Sequence, residues 1–125
     1  MDELPHKDYS DIVQLAIDGY VNEIEKLINY DSNLLMMRNS EGWTPLCGAA
    51  VAGNREAVVM LVGLGARMNV KDNEGRSPLH LSCLKGHTKI SRFLLERGAD
   101  PHMVDEMGCT PLHYAAKHGR SRITP

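Results

Sequence analysis

The chain has 125 residues and a net charge of −2, with 42% hydrophobic residues but only 5% aromatics, including one Trp and one Phe. Its core must therefore be filled by Leu, Ile, Val, Ala and Met, and no apolar run approaches the roughly 20 residues that cross a bilayer. Cys47, Cys83 and Cys109 form an odd set without a Cys-x-x-Cys pair, and nothing near Asp2 resembles a signal peptide, so a reducing cytosolic or nuclear setting is expected.

In chain order, residues 8 to 41 begin with Ser10 at a helix-capping position, followed by Ile12, Leu15 and Ala16 at helical spacing and Gly19 at a turn. Asp11, Gln14, Asp18 and Glu23 place polar groups where later units have proline, histidine or apolar residues, as expected of an N-terminal cap whose outer face meets water. Residues 42 to 74 open on Gly42, Thr44, Pro45 and Leu46. The Thr hydroxyl caps a helix, and Pro takes the first helical position, where its missing N–H costs nothing. Leu46, Ala49 and Ala50 line that helix with small side chains, Gly53 ends it, and Val58, Leu61 and Val62 form the buried stripe of a second helix that stops at Gly65.

Residues 75 to 107 repeat the plan through Gly75, Ser77, Pro78 and Leu79, then Ser82, Cys83 and Gly86, then Ile90, Phe93, Leu94 and Leu95 up to Gly98. Residues 108 to 125 restart it with Gly108, Thr110, Pro111 and Leu112, then Ala115, Ala116 and Gly119, and are read as an incomplete fourth unit. Its missing second helix suggests a fragment or truncated form, whose uncapped end permits weak self-association of an otherwise monomeric protein. Asp72 to Gly75 and Asp105 to Gly108 are four-residue polar turns, expected to project as tips between helix pairs.

Gly-x-(Thr/Ser)-Pro-Leu thus recurs at Gly42, Gly75 and Gly108 in steps of 33 residues, the signature of a stacked solenoid. With Asp-x-x-Gly before it and Gly-Ala-Asp after the second helix, the unit resembles the ankyrin repeat, which reads approximately Asp-x-x-Gly-x-Thr-Pro-Leu-His-x-Ala-Ala-x-x-Gly-His. The third unit matches most fully, through Asp72, Gly75, Ser77, Pro78, Leu79, His80, Gly86, His87, Leu94, Leu95, Gly98, Ala99 and Asp100, and the likeness spans about residues 8 to 123. It implies one all-α domain over residues 1 to 125: an ankyrin-repeat solenoid of helix-turn-helix units with projecting hairpin tips.

Chemistry-bearing residues are few. The cysteines lie in different units, 36 and 26 residues apart, which is no zinc-like spacing, and His80 and His113 recur as structural positions. No Gly-x-x-x-x-Gly-Lys-(Ser/Thr) string and no nucleophile-base constellation occurs, so no catalytic residue, metal or cofactor is predicted. Residues 1 to 41 hold nine acids and three bases, whereas residues 42 to 125 hold seven acids and eleven bases. The basic two thirds, with Lys85, Lys89, Arg92, Arg97, Arg120 and Arg122, carry the alternative reading of a nucleic-acid-associated regulatory factor, although stacking aromatics are scarce.

The resemblance implies instead a non-catalytic adaptor that binds a folded partner or peptide through its tips and the exposed side of its first helices. Carried over by position, those residues are Ser40, Glu41, Trp43, Val51 and Ala52; Asn73, Glu74, Arg76, Leu84 and Lys85; and Glu106, Met107, Cys109, Lys117 and His118. Trp43, in the slot that holds Arg76 and Cys109 in later units, is read as a half-exposed binding hot spot outside the stacking core, the alternative being packing against the neighbouring tip or against Met36 and Met37. Asn69 and His102 occupy the slot that an asparaginyl hydroxylase modifies in similar arrays. Cys47 replaces the histidine retained at His80 and His113, and Gly48 lies in the same helix, so the second unit is expected to be the looser one.

Overall fold

The computed structural model describes residues 11–117. Seven helices follow in chain order: α1 (Asp11–Asp18), α2 (Val21–Tyr30), α3 (Pro45–Ala52), α4 (Arg55–Gly63), α5 (Pro78–Lys85), α6 (Thr88–Glu96) and α7 (Pro111–Lys117), with a short 3-10 turn at Ser32–Met36. No strand occurs among the described residues. The odd-numbered helices stack in one row, α1 on α3, α3 on α5 and α5 on α7, and α2, α4 and α6 form a second row with lighter contact. Ser10, Gly119 and the residues that follow Gly119 lie outside the described residues.

The starts of α3, α5 and α7 follow from their sequence. Thr44 Oγ1 accepts from the Cys47 N–H at 3.4 Å and Ser77 Oγ from the His80 N–H at 3.3 Å. In the third unit His80 Nδ1 also accepts from the Ser77 N–H at 3.1 Å, closing a reciprocal capping box, and His113 does the same for Thr110 at 2.9 Å. Gly53 and Gly86, with φ of 83° and 74°, end α3 and α5 in the left-handed conformation.

The core lies between the two rows. Ile12, Ala16, Leu46, Ala49, Ala50, Leu61, Leu79 and Leu94 are almost fully buried, giving one continuous cluster through the described units. A smaller cluster of Cys47, Val70 and Leu81 sits on the tip side, covered by Met36, Trp43 and Val51. Leu112 is 46% exposed, whereas its counterparts Leu46 and Leu79 are at 0% and 1%.

Gly48 has a packing role that its helix propensity conceals. A Cβ there would lie 3.1 Å from Ile17 Cγ1 and from the Val13 carbonyl oxygen, so an alanine fits only if α1 shifts by a few tenths of an ångström. Beside its cost in helix propensity, Gly48 leaves α1 and α3 in close contact. Gly48→Ala is expected to lower the melting temperature, because repacking of about 1–3 kcal/mol exceeds the ~1 kcal/mol gain in helix propensity. Thermal unfolding followed by circular dichroism reads the sign directly, and a rise in melting temperature would show that α1 yields freely.

Candidate functional site

The three tips are built alike. Asn39 N–H, Asp72 N–H and Asp105 N–H donate to the carbonyls of Trp43, Arg76 and Cys109 at 3.0, 2.9 and 2.9 Å, and Gly42, Gly75 and Gly108 close the turns by donating back to Asn39, Asp72 and Asp105. The opening side chain completes each loop: Asn39 Oδ1 accepts from the Glu41 and Trp43 N–H groups, Asp72 Oδ1 from Glu74 and Arg76, and Asp105 Oδ1 from Met107 and Cys109. Asn39 was not singled out in the sequence, because its unit opens on an amide where the others have a carboxylate.

Tips stack on tips. Asn73 N–H donates to the Glu41 carbonyl at 3.1 Å and Asn73 Nδ2 to the Ser40 carbonyl at 2.8 Å, while Glu106 N–H donates to the Glu74 carbonyl at 3.1 Å. Gly42 makes this possible, since at φ of 79° a Cβ would lie 2.5 Å from Asn73 Oδ1. Below the tips Arg38 Nη1 donates to the Lys71 carbonyl at 2.6 Å and Lys71 Nζ to the Val104 carbonyl at 3.0 Å, each link spanning 33 residues.

Trp43 is placed differently from its sequence reading. The half-buried indole packs on the Cys47, Val70 and Leu81 cluster, and its Nε1–H donates to Asp72 Oδ2 at 3.0 Å. Its assignment outside the stacking core is corrected: the ring fastens the first tip to the second and packs on a cluster that includes Leu81 of the third unit. In the next step His80 does the equivalent work, its Nε2–H donating to the Cys109 carbonyl at 2.8 Å across the same 29 residues. The tautomer follows from Nδ1 accepting the Ser77 N–H. Cys47 has no imidazole to span its step, and Trp43 supplies the donor there, so the cysteine does not by itself leave that junction without a side-chain link.

Burial pushes the Cys47 and Cys83 thiols up, against weaker hydrogen bonding from Thr44 and from Ser91 and Ser82, so both stay protonated and inert. Among the described residues no group of three or more His, Cys, Asp or Glu is placed to hold a metal ion. Burial alone would raise the Asp105 carboxyl, but hydrogen bonds from Tyr114 Oη–H and from the Cys109 and Met107 N–H groups, with His80 nearby, hold it below the usual carboxylate range. Tyr114 is correspondingly raised, first by burial and then by its 2.5 Å hydrogen bond to Asp105 and that group's charge.

The sequence-nominated residues divide into two sets. Glu74, Arg76, Leu84, Met107 and Cys109 line one open cleft of about 700 Å³, completed by Tyr114 and His113 of α7. Tip and first-helix residues there face one another, and Met107 is 85% exposed. Ser40, Glu41, Asn73 and Glu106 are exposed on the tip row, outside that cleft. Val51 is partly covered, and its carbonyl accepts from His87 Nε2 at 3.2 Å, while Ala52 and Lys85 are exposed at the ends of α3 and α5. Lys117 ends α7, and His118 lies outside the described residues. Asn69 Oδ1 accepts the Asp100 N–H at 2.9 Å, which gives it a task in joining units, and the His102 N–H donates to Asp100 Oδ1 at 2.8 Å.

Two outcomes are expected from this geometry. Trp43→Phe should destabilise the protein by about 1.5–3 kcal/mol, the range of a hydrogen bond to a charged group, measured by urea unfolding; an unchanged midpoint would mean that water replaces the indole N–H. Burial lowers the His80 imidazole below 6.5, outweighing the Cys109 carbonyl and the charges of Asp105 and Asp72, with Lys71 adding to the lowering. Its stabilisation is then complete above 6.5 and lost as pH falls through the lower folded value. The stability gap between the parent and His80→Gln should narrow from neutrality to about pH 5, and a constant gap would show that folding leaves the imidazole untouched.

A family model of ankyrin repeats in three copies matches residues 48–124. That span takes in α4 to α7 and most of α3, with two of the three tips, and agrees with the all-helical stack. Ankyrin repeats are generally protein-protein interaction modules. Their repeated caps, left-handed glycines and stacked tips are the features built here from the sequence, and the chain belongs to the ankyrin-repeat family.

Proposed function

We propose that the chain is a non-catalytic adaptor which binds a protein partner through the face shared by its hairpin tips and the open side of its first helices. The observation that carries this reading is the cleft in which Glu74, Arg76 and Met107 of the tips oppose Leu84 of α5. Rigid backbone ladders hold the tips, so the face is organised before a partner arrives and little ordering entropy opposes binding. Ser40, Asn73, Lys85 and Glu106 extend it along the stack as exposed polar rim positions. Free thiols at Cys47, Cys83 and Cys109 suit a reducing compartment, cytosolic or nuclear.

Site-specific photo-crosslinking tests the reading. A benzophenone side chain at Leu84 or Met107 should capture protein from nuclease-treated extract, whereas the same group at Glu25 or Val59, exposed on the second-helix row, should not. Capture from the second row alone would move the binding face. Loss of all adducts on nuclease treatment would favour the nucleic-acid-associated alternative.

A further inference from the structure

The cleft between the third and fourth units has a chemical bias. Arg76 is the one Lys or Arg among the lining residues, and it is already paired: Nε lies 3.0 Å from Asp72 Oδ2 and Nη2 lies 3.1 Å from Glu74 Oε2. Two carboxylates therefore share one guanidinium. Asp105 adds a third carboxylate, fixed by the Tyr114 hydroxyl and two backbone N–H groups and held ionised by them. Neither Lys71, whose Nζ is bound to the Val104 carbonyl, nor Lys85, exposed at the end of α5, is among the lining residues. The apolar part of the lining is Leu84, the Tyr114 ring and Met107, whose flexible thioether is 85% exposed.

We infer that this cleft receives an arginine or lysine side chain from an extended basic segment of a protein partner. The stem of such a side chain packs on Met107, Leu84 and Tyr114, while its cationic head reaches the Glu74 carboxylate, which is 66% exposed at the rim. The open volume of about 700 Å³ exceeds one side chain and leaves room for flanking residues. Glu106 and Glu41, exposed on the tips to either side, continue the negative rim and favour further basic residues over acidic ones. An acidic segment would meet Glu74 and Asp105 without a free cation among the cleft-lining residues described above.

The inference rests on the adaptor reading, and the experiment separates the two. Fluorescein-labelled peptides of repeated Arg-Leu-Gly, Gln-Leu-Gly and Glu-Leu-Gly triplets are titrated with the protein by fluorescence polarisation at low salt. The Arg peptide should bind most tightly and weaken as salt rises. Glu74→Gln should weaken it by about two- to fivefold, the scale of a partly exposed ion pair, while Glu25→Gln, with the same change in net charge on the second-helix row, should not. Met107→Ala should weaken the Arg and Gln peptides alike. Equal affinity for the Gln or Glu peptide, no binding of the Arg peptide, or equal effects of Glu74→Gln and Glu25→Gln would overturn the assignment. Crosslinking at Leu84 and Met107 alongside any of those results would leave the adaptor face standing and remove only its basic ligand.

Discussion

A carboxylate with no exposed side-chain surface, that of Asp72, organises the middle of the stack. Oδ1 accepts the Glu74 and Arg76 N–H groups, and Oδ2 accepts Nε of Arg76 and the indole Nε1–H of Trp43. A buried charge left unpaired costs several kcal/mol, so four donors are what make this position tolerable. One group thus closes its own tip, orients the Arg76 guanidinium towards Glu74, and fastens the preceding tip through Trp43. The face proposed for partner binding inherits its geometry from that arrangement, because both Glu74 and Arg76 are set by it.

Asp105 repeats the scheme with different donors. Its Oδ1 closes the tip in the same way, but Oδ2 takes the hydroxyl of Tyr114, on the helix that follows the tip. The link between the third and fourth units passes instead through His80 and the Cys109 carbonyl, with the imidazole edge-on to the Tyr114 ring at 5.1 Å between centroids. Adjacent junctions of one fold therefore use unlike chemistry at equal sequence separation. A charged acceptor pairs with an indole in one, and a neutral carbonyl pairs with an imidazole in the other, so pH acts on the second through His80.

Local signals made the helices legible in the sequence. Thr44, Ser77 and Thr110 before proline, and glycine at the helix ends, are short-range rules that need no knowledge of neighbours. Junctions were less legible because they join residues about a full unit apart. Trp43 looked like a loop aromatic until the next tip was laid beside it, and Gly48 looked like a defect until α1 was. Asn54 and His87 were equally opaque: they reach back from the starts of α4 and α6 to carbonyls of Ala16 and Val51. The cleft could be nominated from Glu74, Arg76, Leu84 and Met107 by position, but its charge balance required the contacts of Arg76.

Links of identical span quantise the chain length that this architecture tolerates. Arg38 to Lys71, Lys71 to Val104 and Asn73 to Ser40 are each separated by 33 residues, so losing or gaining a whole unit brings equivalent slots together again. Any other change in length sets donors against the wrong carbonyls and turns side chains off their helix rows. The exception is instructive: Gly19 and Gly53 are 34 residues apart, and between them lies the 3-10 turn Ser32–Met36. That compact turn lies ahead of the Arg38 ladder, where an additional residue leaves every later pairing in phase. Growth by duplication is thereby open to the fold at the scale of units, and drift by single residues is confined to the stretch before the ladder begins.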